Sequence, residues 1–304
     1  MTKIDTNLID RRAAVAGILG LSLGSASTSA VAQIKLDLGT LGDIGRMLKG
    51  VNLKEQDEID FGNQLFGALI DTMGGRYRNS SAQSAISKIA TTLFETSLRE
   101  AFGWEVVIVD NNEVNAWALP GGKLGVNKGL LRYVDNEDEL AAVIAHEMGH
   151  SELSHAAKEM RKKAFYAGLS TAAQAAAISA TDKNTRLGTA AGMKSIELPM
   201  LRLVASGYSR SLEEEADNHI LNVFAKTGYN VARGAGFYET LLELIPRKSK
   251  GTTSLFAGHP ETQKRLASLR QAGEGVAPAK THSSGFEFFA LKETFPTRKI
   301  YKRQ

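Results

Sequence analysis

The feature that most constrains this chain is the pattern His146-Glu147-Met148-Gly149-His150, which lies inside an apolar run. The run predicts a helix, in which residues four apart lie on the same face, about 6 Å apart along the axis. His146 and His150 can therefore share one metal ion. Glu147 is rotated by roughly a quarter turn, where its carboxylate can reach a water molecule at that ion and act as a general base.

Two features near this pattern favour a functional helix over a chance match. Asn136, three residues before Glu139, predicts a capping box at the start of the helix. Gly149 costs about 1 kcal/mol relative to alanine in a helix interior, so its presence predicts close packing by another element. A five-residue pattern of this kind also arises by chance in on the order of one chain in a hundred, which leaves a purely structural helix as the alternative.

Composition limits the chemistry that the chain can use. It contains no cysteine, which excludes thiol catalysis, disulfides and cysteine-ligated zinc. Any metal site must therefore use histidine, aspartate or glutamate. The formal charge of +4 on 304 residues is small, so we expect no nucleic-acid partner. The basic C-terminal residues are typical of a solvated end, with peripheral contact to an anionic membrane surface as the alternative: Arg298, Lys299, Lys302 and Arg303.

The first 32 residues have the pattern of an export signal. Lys3 and the pair Arg11-Arg12 precede a short apolar stretch over residues 13–24, and Ala-Val-Ala at residues 30–32 matches a cleavage site. The apolar stretch is too short for a membrane span, and no later segment approaches the roughly 20 residues required. We expect a periplasmic protein, with export by the twin-arginine route as one possibility.

The chain divides into four predicted segments: the signal at 1–32, a glycine-rich linker at 33–52, a folded domain at 53–272 and a C-terminal tail at 273–304. An extra strand over residues 286–291 is predicted within the tail. The folded domain is predicted to be α+β and mainly α.

Periodicity places a small sheet immediately before the metal-binding helix. Helical patterns cover residues 54–71 and 80–94, and strands are predicted at 105–109, 115–119 and 123–127. An exposed edge of this sheet could hold an extended peptide by strand addition. The alternative is a short hairpin that only packs on the helix.

An alanine-rich helical pattern covers residues 164–180, and a second helical segment extends to about residue 207. Together they predict a pair of helices that forms scaffold, with a movable cover over the site as the alternative.

A later acidic segment offers a third metal ligand. Glu213 and Asp217 are four residues apart and share one row of a helix. Catalytic zinc typically has three protein ligands, and two histidines with one glutamate are a known set, which makes Glu213 a candidate. Asp217 could accept a hydrogen bond from the far nitrogen of a ligating histidine and fix its tautomer. A solvated acidic helix surface is the alternative.

Four segments together resemble the zinc metalloendopeptidase family that includes the CAAX prenyl protease, the heat-shock membrane protease and periplasmic proteases of outer-membrane quality control. In chain order they are Asn115-Ala116-Trp117-Ala118-Leu119-Pro120-Gly121-Gly122, His146-Glu147-Met148-Gly149-His150, Glu213-Glu214-Glu215-Ala216-Asp217, and His259-Pro260 followed by Arg265. The resemblance covers roughly residues 55–269.

This resemblance implies a gluzincin with a zincin-like fold, in which the small sheet packs beside the His-Glu-x-x-His helix. It implies one zinc ion per chain, bound by His146, His150 and Glu213. Glu147 takes the role of general base, and Asp217 the supporting role. The implied activity is endopeptidase cleavage of exported polypeptides, in particular misfolded or misassembled envelope proteins. An assembly factor for envelope proteins with a latent zinc site is the alternative.

In proteases of this family the His-Pro element lies near the metal, which implies a role for His259. We expect His259 either to occupy the open metal position in a resting state or to help hold the developing oxyanion, with Arg265 bracing nearby groups. The strand after Pro-Gly-Gly lies along the substrate cleft in relatives. This favours strand addition of a substrate at the following residues: Lys123, Leu124, Gly125, Val126 and Asn127.

Two other histidines are predicted to be structural. His155 is nine residues after His146, about half a turn around a continuous helix, so we expect it to face away from the metal. His219 does not share a row of the predicted helix with Glu213.

Overall fold

The computed structural model describes residues 54–159, 162, 208–244, 262–275 and 285–298. The predicted export signal and linker, the helical pair at 164–207 and His259 all lie outside the described residues.

The described elements confirm a mainly helical α+β fold. The helices are α1 (Glu55–Thr72), α2 (Ser80–Phe94), α3 (Glu137–Glu152), α4 (Arg210–Thr227), α5 (Val231–Gly234), α6 (Gly236–Leu244), α7 (Thr262–Gly275) and α8 (Phe286–Thr294), with a 3-10 helix at Leu130–Arg132. The strands are β1 (Glu105–Val109), β2 (Ala116–Leu119) and β3 (Lys123–Asn127). No described helix is both long and apolar enough to cross a membrane.

Strand β3 is the central strand of the sheet, whose order is β1-β3-β2. It pairs in parallel with β1 and antiparallel with β2, and all five of its residues are buried. Both edges of β3 are therefore occupied, and the predicted strand addition at Lys123–Asn127 is wrong. Lys123 instead directs its ammonium to the carbonyl of Gly103, at 2.8 Å.

The outer edge of β1 is also covered. Arg76 forms a bridge with Val109, and the side-chain amide of Gln83 bonds both the N–H and the C=O of Ile108, at 3.0 and 2.9 Å. In the part of the chain that the structure describes, no strand pairs with the outer edge of β2. All four residues of β2 are buried, so this edge is unpaired but not exposed.

The turn between β2 and β3 is hydrogen-bonded to helix α3. Gly121 and Gly122 both have positive φ, of 75° and 81°, which glycine adopts without a steric cost. The N–H of Gly122 donates to the hydroxyl of Ser151 at 2.9 Å, and that hydroxyl donates to the carbonyl of Leu119 at 3.0 Å. Ser151 directly follows His150, so the sheet is held at a fixed position beside the motif.

Helix α3 is buried along almost its whole length, from Glu137 to Ser151. Its start carries three acidic residues, which the helix dipole favours. The side chain of Asn136 caps the helix by accepting from the N–H of Glu139 at 3.0 Å, which confirms the predicted start. Tyr229 donates to Glu137 at 2.8 Å, and the N–H of Asn230 donates to Asp138 at 2.8 Å. These bonds satisfy carboxylates that burial would otherwise penalise.

Helix α3 ends at Glu152, because Ser154 adopts a left-handed conformation with φ 54°. The N–H of Leu153 closes the last turn on the carbonyl of Gly149, at 3.0 Å. The prediction of one continuous helix through His155 is wrong. The chain turns after Glu152, and periodicity no longer determines where His155 points.

Gly149 lies where helices α3 and α4 cross. A Cβ atom added at this position would lie 2.9 Å from Cβ of His219 and 3.3 Å from Cα of Ala216. This confirms the close packing that the sequence predicted. His219 further joins the helices by bonding the carbonyl of Ala145 at 2.9 Å.

We expect Gly149→Ala to destabilise the protein by about 1–2 kcal/mol, because overpacking at the crossing outweighs the gain of about 1 kcal/mol in helix propensity. Gly67 provides the matched control, since it is an exposed glycine of α1 with no atom within 4 Å of an added Cβ. Gly67→Ala should stabilise by about 0.5–1 kcal/mol. Urea unfolding measures both changes, and equal stabilisation by the two substitutions would contradict the packing argument.

The C-terminal segment is part of the folded domain. Phe288, Leu291 and Phe295 lie on one face at helical spacing and are buried in the core, where α8 packs against α2. The ammonium of Lys292 donates to the carbonyls of Leu131 and Val134, at 3.0 and 2.8 Å. The predicted strand at 286–291 is therefore wrong, and so is the prediction of a separate tail for residues 285–298. Helix α7 also crosses the predicted domain boundary at residue 272.

Candidate metal centre

Three predicted ligands converge between helices α3 and α4. The Nε2 atoms of His146 and His150 are 3.0 Å apart, and Glu213 oxygens lie 3.5 Å from the first and 3.4 Å from the second. Four ligand atoms placed tetrahedrally at about 2.0–2.1 Å from a zinc ion lie about 3.3 Å from one another. The separations and the chemistry of these donors therefore fit a single metal ion, and the three residues form a group that could hold one.

The ligands are removed from water by the packing of the two helices. His146 is 5% exposed, and His150 and Glu213 are each 1% exposed. Glu213 belongs to the first turn of α4, where its N–H bonds the carbonyl of Ser209 at 3.0 Å. Close approach of the helices at Gly149 brings this turn against the two histidines.

Asp217 lies where the sequence placed it, one helical turn after Glu213. Its Oδ1 atom is 3.1 Å from Nδ1 of His146, the ring nitrogen that does not face the ligand cluster. Arg265 donates two hydrogen bonds of 2.7 Å to the same carboxylate, one from Nε and one from Nη2. Burial alone would raise the pKa of Asp217, but the guanidinium of Arg265 and the imidazole of His146 hold it well below its usual value. Asp217 therefore remains a carboxylate and can fix the tautomer of His146.

Arg265 contacts both acidic residues of the cluster, Asp217 and Glu213. Its Nη1 atom is 2.8 Å from Oε2 of Glu213, and its Nη2 atom also donates to the hydroxyl of Tyr238 at 3.1 Å. Tyr238 in turn donates to Asp217 at 3.0 Å. Tyr238 gave no sequence signal, because nothing in its local pattern separates it from an ordinary core aromatic.

The carboxylates beside His146 favour its protonated form. Burial and the Arg265 cation lower the pKa of His146, but the carboxylates of Asp217 and Glu213 outweigh them and raise it to about 9. A metal ligand must be the neutral imidazole, so we expect metal binding to release this proton.

His155 lies against His150 and does not face away, so the predicted orientation is wrong. The Nδ1 atoms of the two rings are 2.8 Å apart, and Nε2 of His155 is 3.3 Å from Oε2 of Glu215. The turn at Ser154 produces this contact by redirecting the chain after α3. The only available signal was a third histidine five residues after His150, and its position could not be derived without the end of the helix.

Glu147 is buried beside the ligands, with 2% of its surface exposed. Burial raises the pKa of Glu147 to about 8; Glu213 adds to this shift, whereas His146 and Arg265 oppose it. A carboxyl group with a pKa close to neutral can both accept and return a proton at physiological pH, which is what a general base requires.

A small sheet beside a His-Glu-x-x-His helix, with a glutamate supplied by a second helix, defines a zincin-like metalloprotease fold. The chain belongs to peptidase family M48, whose profile matches residues 77–272.

Similar proteins include two from Escherichia coli (strain K12). The beta-barrel assembly-enhancing protease is 28% identical over 187 residues, which cover 62% of this chain and 38% of that protein. The metalloprotease YcaL is 30% identical over 215 residues, which cover 70% of this chain and 74% of that protein. The mitochondrial metalloendopeptidase OMA1 of Arabidopsis thaliana is 31% identical over 177 residues, which cover 58% of this chain and 33% of that protein. The matched region thus spans well under half of the beta-barrel assembly-enhancing protease.

Proposed function

We propose that this protein is a zinc-dependent endopeptidase. The observation that carries the proposal is the convergence of His146, His150 and Glu213 at separations that fit one tetrahedral ion. Imidazole nitrogen suits zinc, and two histidines with one glutamate are a donor set of catalytic zinc. Among the described residues the group has three members, which is the number that leaves a fourth position for water or substrate.

A bound zinc ion would polarise the carbonyl of the scissile peptide bond and lower the pKa of a water molecule. Glu147 takes the proton of the attacking water on its carboxylate and later delivers it to the leaving amine nitrogen. His146 and His150 would hold the ion through Nε2, while Asp217 would keep the proton of His146 on Nδ1.

We further propose that a polypeptide substrate adds as a strand to the unpaired outer edge of β2. Because all four residues of β2 are buried, this edge has to be uncovered before a peptide can pair with it. The backbone bond from Asn127 to Asn115, of 2.9 Å, shows which pairs of β2 and β3 are hydrogen-bonded. In an antiparallel ladder these pairs alternate, so the backbone groups of Ala116 and Ala118 point to the outer edge. Because β2 packs against α3, a peptide paired with this edge would lie beside the motif.

Exported envelope polypeptides are the proposed substrates, with the periplasm as the site of action. The support is the export-signal pattern of residues 1–32 and the similarity to a protease named for enhancing β-barrel assembly. Misfolded or misassembled proteins would supply extended segments that can pair with a strand edge.

The test is degradation of casein and of an unfolded outer-membrane protein by the purified protein. We expect cleavage that a zinc chelator abolishes and that added zinc restores, because the ion supplies the Lewis acid. Degradation that continues unchanged in chelator would refute the metal-dependent mechanism. A zinc-loaded protein that binds the unfolded substrate but leaves both substrates intact would favour an assembly factor instead.

A further inference from the structure

We propose that His155 is a positioning residue for His150, and that His155 and Glu215 together fix which nitrogen of His150 faces the metal. The inference shares one premise with the proposed function, which is that the site binds a metal ion. It concerns two residues outside the ligand group and outside the predicted site.

The tautomer of His150 follows from the contacts of its two ring nitrogens. Its Nε2 atom belongs to the ligand cluster, 3.0 Å from Nε2 of His146, and its Nδ1 atom is 2.8 Å from Nδ1 of His155. A neutral imidazole carries one proton, and the nitrogen that binds a metal must be the one without it. His150 therefore carries its proton on Nδ1 and donates it to His155.

The tautomer of His155 follows in the same way. Its Nδ1 atom accepts from His150, so its own proton must be on Nε2, which lies 3.3 Å from Oε2 of Glu215. A carboxylate only accepts hydrogen bonds, so it selects this tautomer. The ammonium of Lys158 donates a hydrogen bond of 2.6 Å to the same oxygen of Glu215. Glu215 orients His155, and His155 orients His150.

Packing supports this hydrogen-bonded chain. His155 is fully buried, and its ring meets the ring of His150 at 71° with centroids 5.0 Å apart. The ring of Tyr208 stacks on His150, with centroids 4.0 Å apart and an angle of 18°. The orientation of the His150 ring is therefore set both by its Nδ1 bond and by an aromatic neighbour.

The two histidine ligands are oriented by different chemistry. His146 bonds a carboxylate directly, through Asp217, whereas a neutral imidazole stands between His150 and Glu215. The site already contains the buried carboxylates of Glu147 and Glu213. A neutral acceptor supplies the hydrogen bond without adding another negative charge that would have to be desolvated.

Zinc affinity, measured by competition with a chelator, tests the assignment. We expect His155→Ala to weaken zinc binding by about 10–100-fold, the usual effect of losing a partner of a metal ligand. His155→Asn places an oxygen acceptor near the position of Nδ1 and should recover most of this loss. His219→Ala is the matched control, because His219 is buried between the same helices but bonds Ala145 and Glu152. It should lower thermal stability and leave zinc affinity within about threefold of wild type.

Nitrogen-15 NMR of histidine-labelled, zinc-loaded wild-type protein tests the same inference without a substitution. We expect the proton of His150 on Nδ1 and that of His155 on Nε2. A proton on Nδ1 of His155 would overturn the proposal, as would wild-type zinc affinity in His155→Ala. Neither readout involves hydrolysis, so a protein that binds zinc but cleaves no peptide would refute the proposed function and leave this assignment standing.

Discussion

Replacing Glu147 by glutamine is expected to lower the rate of peptide hydrolysis by about a thousandfold while the fold and the bound zinc remain. Glutamine has nearly the same size but cannot take a proton from water. Glu147 is not a member of the ligand group, so its substitution removes no metal donor. Metal content by atomic emission and peptide cleavage by a fluorescent assay measure the two effects separately.

Two further variants complete this experiment. His146→Ala should lose both zinc and cleavage, because it removes a ligand. Glu152→Gln changes a carboxylate on the same helix that accepts from the N–H of Leu98 at 2.9 Å, and it should keep the wild-type rate. A Glu147→Gln protein that is zinc-loaded and fully active would refute the role assigned to Glu147.

Arg265→Ala is expected to reduce the free energy of unfolding of the metal-free protein by about 3–5 kcal/mol. Arg265 is 5% exposed, and its guanidinium bonds Asp217 twice while it contacts Glu213. Its removal leaves two buried carboxylates without their shared cation. Arg265→Lys should recover only part of the loss, since an ammonium cannot reproduce the forked geometry.

Arg270 provides the matched control for this measurement. It lies on the same helix, α7, and its side chain is 53% exposed in an ion pair with Glu239. A pair of this kind contributes little, so Arg270→Ala should cost less than about 1 kcal/mol. Urea unfolding in the presence of a chelator compares the variants, and equal losses at the two positions would contradict the bracing role of Arg265.

The helices and strands of the site region could be predicted because their signals are local. Spacing within one helix fixes which side chains share a face, and this placed His146 with His150 and Asp217 after Glu213. The cap at Asn136 and the packing at Gly149 are also local consequences of residue chemistry. The predicted strands match the observed ones to within one residue at each end.

The predictions that were wrong concern features of the fold that depend on contacts between distant parts of the chain. Strand order is set by which edges other segments cover, so the sequence of β3 alone could not reveal that it is central. The turn at Ser154 depends on a non-glycine residue in a left-handed conformation, which has no reliable sequence signal. Helix α8 is short and aromatic, and its helical form is stabilised by packing on α2.

The bond between Ser151 and the turn after β2 has a consequence for selectivity. Ser151 directly follows a histidine of the motif, so one hydroxyl fixes β2 and its unpaired edge relative to the helix that carries the motif. A peptide paired with that edge would be positioned by hydrogen bonds of its main-chain amides, whichever side chains it carries. Under the proposed strand addition, the protein would select segments that are unfolded and able to extend, and it would need little preference for the residues on either side of the cleaved bond.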